Sequence, residues 1–138
     1  RVGSPYSGAY SASKFALEAL SESLNFEVSQ LGIRVHLIEP GRFATSFKNN
    51  KVRPDCWEGS AQQQRSLAFR AASSGLGGHG EPPDPQLVAD AIAQAATDAS
   101  TPFRTLVGDD ALLIDGLKSS MSFEDFEATV RTTLNWHD

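Results

Sequence analysis

The sequence predicts an α/β fold with a parallel, doubly wound sheet, and three observations carry that prediction. A long helix, apolar on two faces, passes through a short loop into a compact β-branched segment. That segment stops at Pro40-Gly41, a turn at the carboxyl end of a strand. A second helix and a second short strand follow in the same order further along.

Residues 1–7 read as a turn, with Gly3, Pro5 and Gly8 as punctuation. Residues 9–31 read as one helix closed by Gly32. At about 100° per residue, Leu17, Leu20, Leu24, Val28 and Leu31 share one face, while Phe15, Ala19 and Phe26 lie opposite. A helix apolar on two faces is buried on two sides. One side covers a sheet, and the other calls for a further partner such as another subunit. Residues 33–39 (IRVHLIE) read as a strand central in a parallel sheet. Residues 42–83 are irregular, with a helical stretch over 61–72. A helix over 85–96 places Leu87, Val88, Ile92 and Ala95 on its apolar side, and 103–107 (FRTLV) reads as a strand. Residues 111–117 and 123–134 read as terminal helices.

Composition narrows the function classes. The 138 residues suffice for one domain with a core. With 40% hydrophobic and 21% charged residues they resemble ordinary globular proteins. A net charge of −5 without a run of Lys or Arg argues against nucleic acid or an anionic membrane as partner. No apolar run reaches the length of a membrane span. The single cysteine, Cys56, allows neither an internal disulfide nor a cysteine-based metal cluster, and fits a reducing, cytoplasmic setting. The chain begins with Arg1 and enters a helix almost at once, as expected for a piece of a longer protein.

Tyr10 and Lys14 form a Y-x-x-x-K spacing on the first helix. Positions i and i+4 are neighbours on a helix face, so phenol and ammonium lie close together. A fixed positive charge beside a phenol stabilises its anion, which lets the phenol exchange a proton with a carbonyl or alcohol oxygen. Tyr10 shares the azimuth of the leucine face and is expected to point towards the sheet. Taken alone, this spacing arises by chance in many helices and more often marks a solvated lysine beside a half-buried tyrosine.

The surrounding residues change that balance. The segment SGAYSASKFALEALSESLNFEV, followed by IRVHLIEPGRFATSF, resembles the active-site helix, next strand and P-G-x-x-x-T turn of the short-chain dehydrogenase/reductase superfamily. The resemblance is strong over residues 1–47 and holds in outline beyond them. It implies the C-terminal half of a doubly wound Rossmann-type parallel sheet, with residues 1–138 as a single partial domain. It implies that Tyr10 is the general acid/base, while Lys14 eases its ionisation and binds the nicotinamide ribose hydroxyls. It further implies that Pro40 and Gly41 close over the nicotinamide of NAD or NADP. The Phe43 backbone and Thr45 hydroxyl would bind its carboxamide or a nearby phosphate. Phe43 stands where the family often has a smaller aliphatic, which a backbone contact tolerates. Thr45 also suits a helix N-cap or turn. Trp57 and Phe69, in what resembles a substrate lid, are candidates to line an apolar pocket or to pack a lid helix.

The family's glycine-rich phosphate motif and catalytic serine are expected N-terminal to Arg1, with Ser4, Ser7 and Ser13 at the wrong spacing from Tyr10. The 138 residues alone are therefore expected neither to bind cofactor tightly nor to turn over. Residues 75–80 (GLGGHG) satisfy G-x-G-x-x-G, but follow a helical stretch and precede Glu81-Pro82-Pro83, so they read as a loop. His36 reads as a packed strand residue, and His79 and His137 lack partners at metal-ligand spacing. Asp84, Asp90 and Asp98 read as caps or a solvated face, and no metal is expected. The expected function is hydride transfer between NAD or NADP and a lipophilic secondary alcohol or ketone, in a homodimer or homotetramer assembled through helix 9–31. A non-catalytic NAD(P)-binding regulatory or interaction protein of the same fold is the alternative.

Overall fold

The computed structural model describes residues 2–50, 52–74 and 81–136. The fold is α/β, with two parallel strands and five helices among these residues. Helix α1 spans Gly8–Val28, and a 3-10 turn over Ser29–Leu31 tightens its end. Gly32 then reverses the chain at φ 76°, a left-handed conformation that glycine adopts without steric cost, and its N–H donates to Ser29 O at 3.0 Å.

Strand β1 (Leu37–Pro40) pairs in parallel with β2 (Arg104–Val107), Leu37 opposite Arg104 and Pro40 opposite Val107. Bonds from Leu37 N to Phe103 O (2.7 Å) and from Gly41 N to Val107 O (2.9 Å) extend the ladder at both ends. The first strand is thus shorter than the 33–39 that its composition predicts. The residues lost from it brace a loop instead. Arg34 Nη1 donates to Asp98 O at 2.8 Å, and His36 Nδ1 lies 3.0 Å from Pro102 O. In that loop Ser100 donates twice to the Asp98 carboxylate, and these bonds hold the carboxyl below its usual range.

Helix α2 spans Ala61–Ser73 and α3 spans Gln86–Thr97. Asp84 opens α3 by accepting from Gln86 N at 2.8 Å, the cap role its position suggests. Helix α4 (Asp109–Ser120) runs longer than the 111–117 read from the pattern. It begins with Asp109 and Asp110, whose negative charge suits a helix N-terminus. Helix α5 spans Phe123–Leu134, is capped by Ser122 accepting from Asp125 N, and ends on Asn135 at φ 46°. The apolar residues with least exposure are Phe69 on α2, Ala95 on α3, and Phe126 and Leu134 on α5. No helix among the described residues is long and apolar enough to cross a membrane.

The expectation that α1 is buried on both faces is not met within this chain. None of its residues is buried, and Leu20 (68% exposed) and Phe26 (82% exposed) stand open on opposite faces. Two four-residue strands offer too little surface to cover a helix of this length. Charge docks it instead. Arg104 Nε donates to Glu18 Oε1 at 2.6 Å, the same guanidinium bonds Glu22 one turn further on, and Glu39 Oε1 lies 3.6 Å from Arg104 Nε. Bonds to Glu18, then to Glu22, hold the guanidinium above even its ordinary high range.

Removing Arg104 leaves half-buried carboxylates without their cation. Arg104→Ala is expected to cost about 2 kcal/mol of stability, read as a lower urea midpoint at unchanged slope. A midpoint that does not move would show that α1 is held by other contacts.

Candidate functional site

Tyr10 and Lys14 occupy the first turns of α1, directly after a turn in which Ser7 N donates to Ser4 O. The Lys14 ammonium lies over the Tyr10 ring, 5.7 Å from its centroid, a cation–π contact of about 0.5–1 kcal/mol at an exposed position. Tyr10 is 50% exposed, and its ring meets Phe47 at 5.7 Å. The segment after the 40–45 turn folds back towards the start of α1. That segment is a 3-10 turn over Ser46–Asn50, and it carries Phe47.

The 40–45 turn leaves the carboxyl end of β1, where open α/β sheets bind ligands. Elements far apart in sequence fix it. Gly41 N donates to Val107 O, Arg42 N donates to Asp110 Oδ2 at 2.7 Å, Arg42 Nη1 donates to Ser74 O at 2.9 Å, and Ala44 N donates to Pro83 O at 3.1 Å. The Phe43 ring lies against Gly108, where φ of 101° again calls for glycine. Thr45 is exposed, just ahead of the turn bearing Phe47. Through Phe47, the structure therefore brings Tyr10 and Lys14 to the same end of β1 as Pro40, Gly41, Phe43 and Thr45.

Trp57 ends a 3-10 turn over Asp55–Trp57, with the Arg53 guanidinium 5.2 Å from its ring. Its indole nitrogen is buried without a hydrogen-bond partner among the described residues. Ser60 caps α2 by accepting from Gln63 N at 3.1 Å, and Gln63 Oε1 accepts from Gly59 N at 2.7 Å. Phe69, on α2, belongs to a ring cluster with Tyr6 (6.2 Å) and Trp136 (5.1 Å), and Tyr6 and Trp136 also meet at 6.4 Å. Tyr6 lies in the left-handed region at φ 58°, an uncommon place for an aromatic residue. The cluster fastens α2 to the turn that enters α1 and to the end of α5.

An open cleft of about 440 Å³ lies between β1 and α3, lined by Arg34, His36, Ile38, Ile92, Ala95 and Ala96. None of the candidate site residues lines it. No group of three or more His, Cys, Asp or Glu able to hold a metal occurs among the described residues. The glycines and His79 of 75–80, and His137, lie outside the described residues. Sequence reasoning missed Phe47, Asp110 and Arg104, whose partners stand far off in the chain.

The family model described as short chain dehydrogenase matches residues 1–55, the stretch containing Tyr10, Lys14 and the 40–45 turn. A 3-ketodihydrosphingosine reductase of Bacteroides thetaiotaomicron is 37% identical over 114 residues, covering 78% of this chain and 39% of that protein. An uncharacterised oxidoreductase of Schizosaccharomyces pombe is 33% identical over 122 residues, covering 88% of this chain and 50% of that protein. Human retinol dehydrogenase 5 is 46% identical over 54 residues, covering 36% of this chain and 17% of that protein. The chain thus spans half the length, or less, of these curated relatives.

Phe69, only 9% exposed, carries packing as well as any contact with a ligand. Phe69→Ala is expected to cost about 3 kcal/mol in chemical denaturation. A loss below about 1 kcal/mol would mean that the ring cluster does not hold α2.

Proposed function

Given that the chain belongs to the short-chain dehydrogenase/reductase superfamily, we propose that it supplies the proton-transfer half of an oxidoreductase that interconverts a secondary alcohol and a ketone with NAD or NADP. The observation that carries this reading is the half-exposed Tyr10 phenol, with the Lys14 ammonium over its ring, at the end of β1 that bears the 40–45 turn.

The residues present fit the nicotinamide end of a dinucleotide. Lys14 offers an ammonium to ribose hydroxyls, Thr45 an exposed hydroxyl, and the 40–45 turn a backbone whose N–H groups donate to β2 and α4 while the Arg42 side chain donates to the end of α2. When bound, the nicotinamide supplies or accepts the hydride. Tyr10 gives its phenolic proton to the carbonyl oxygen during reduction and takes it back from the alcohol during oxidation. Lys14 places positive charge where negative charge develops on the phenol oxygen. Phe47 packs on the Tyr10 ring and limits the directions in which the phenol can turn. The phosphate cradle and the remaining catalytic hydroxyl are assigned to an N-terminal half, so the activity is proposed for the protein that contains both halves.

A lipophilic substrate is supported by the rings gathered around Phe69. By their names, two relatives act on 3-ketodihydrosphingosine and retinol, both lipophilic. Assembly as a homo-oligomer through α1 is supported by Leu20, Phe26 and Leu31, all exposed on that helix and the turn after it.

In the intact protein, Tyr10→Phe is expected to lower turnover of ketones by NAD(P)H about 10²–10⁴-fold with little change in stability. Turnover at the parent rate would refute the role given to the phenol. Sedimentation at micromolar concentration is expected to show a dimer or tetramer, and a monomer would count against assembly through α1.

A further inference from the structure

The backbone of the 40–45 turn makes two kinds of hydrogen bond. Gly41 N and Ala44 N donate to main-chain carbonyls, those of Val107 and Pro83. Arg42 N donates instead to a side chain, the Asp110 carboxylate, at 2.7 Å. Asp110 stands in the first turn of α4, where the helix dipole favours its charge.

Two glycines make room for this carboxylate. A Cβ on Gly41 would overlap the Asp110 carboxyl group, and a Cβ on Gly108 would stand 3.0 Å from Asp110 Oδ1. Gly41 has no positive φ that would require glycine, so the space taken by the carboxylate is what excludes a side chain there. An aspartate has two side-chain torsions and a fixed place on α4. It can yield to a methyl group at position 41 only by swinging out and releasing Arg42 N.

We propose that Asp110 is a positioning residue for the dinucleotide turn. It clamps the backbone between Pro40 and Thr45 so that the turn is already in its binding conformation before the nicotinamide arrives. Clamping in advance removes the ordering cost that a loose turn would charge against cofactor affinity. The proposal rests on the reading that this turn holds the cofactor, and its test separates the two.

The test uses the intact protein with Asp110→Ala, Asp110→Asn, Gly41→Ala, and the Gly41→Ala/Asp110→Ala pair. Amide hydrogen exchange at Arg42 reports the clamp without any cofactor. KM for NAD(P)H and kcat report its use. Asp110→Ala is expected to speed exchange at Arg42 and to raise KM about tenfold with a smaller change in kcat, the size expected for one hydrogen bond to a charged group. Asp110→Asn keeps an acceptor oxygen and is expected to recover most of both effects. Gly41→Ala is expected to mimic Asp110→Ala, and the double variant to be no worse than either single one, because each change removes the same carboxylate from the same amide. Gly41→Ala also probes the clamp with Asp110 in place, should Asp110→Ala fold poorly. Unchanged exchange at Arg42, or additive losses in the double variant, would overturn the clamp. Faster exchange with an unchanged KM would leave the clamp standing but sink the cofactor role of the turn, and with it the positioning role of Asp110.

Discussion

The cluster around Arg104 is the interaction on which the rest of the arrangement depends. One guanidinium on β2 gathers Glu18 and Glu22 from α1 and Glu39 from β1. Arginine suits this place because its planar fork serves several carboxylates and stays charged. No residue of α1 is buried, so apolar packing within the chain contributes little to seating that helix. The direction in which Tyr10 and Lys14 face follows from where α1 sits. The charge cluster thus helps to set where α1 presents Tyr10 and Lys14.

A second set of constraints converges on the loops. Arg42 reaches the end of α2 through Ser74 O, while Ala44 reaches the segment before α3 through Pro83 O. Tyr6, Phe69 and Trp136 join the entry to α1, helix α2 and the end of α5, with the Arg131 guanidinium 4.8 Å from the Trp136 ring. Holding an aromatic residue at positive φ costs of order 1–3 kcal/mol and persists only where surrounding contacts outweigh it. At Tyr6 those contacts are two rings from distant parts of the chain. Helix α2 and the 40–45 turn are thus parts of one connected framework.

Much of this was legible in the sequence, and the unread remainder has a common cause. Helix α1, the Gly32 stop, α3 and α5 follow from local periodicity and caps, which depend on neighbours within a turn or two. The turn after β1 follows from Pro40-Gly41. The true start of β1 does not, because strand length depends on the partner, and β2 offers four residues. Arg34 and His36 look like strand residues by type, yet bond to Asp98 O and Pro102 O. Tyr10 meets Phe47, and Arg42 N meets Asp110, both partners distant in the chain. The one local hint of Asp110 is a pair of acidic residues opening α4, which says where charge is welcome and nothing about which amide it meets.

The pairing of β1 with β2 also bears on the order in which the molecule assembles. His36 meets Pro102 across 66 residues, and Arg42 meets Asp110 across 68. Helices form from neighbours within nanoseconds to microseconds, whereas contacts this distant must first close a long loop. Helix α1 can therefore be present while the strand that carries its arginine anchor is still unpaired. Tyr10 and Lys14 would be brought together early, and the 40–45 turn would acquire its shape only when the last part of the chain returned to the first.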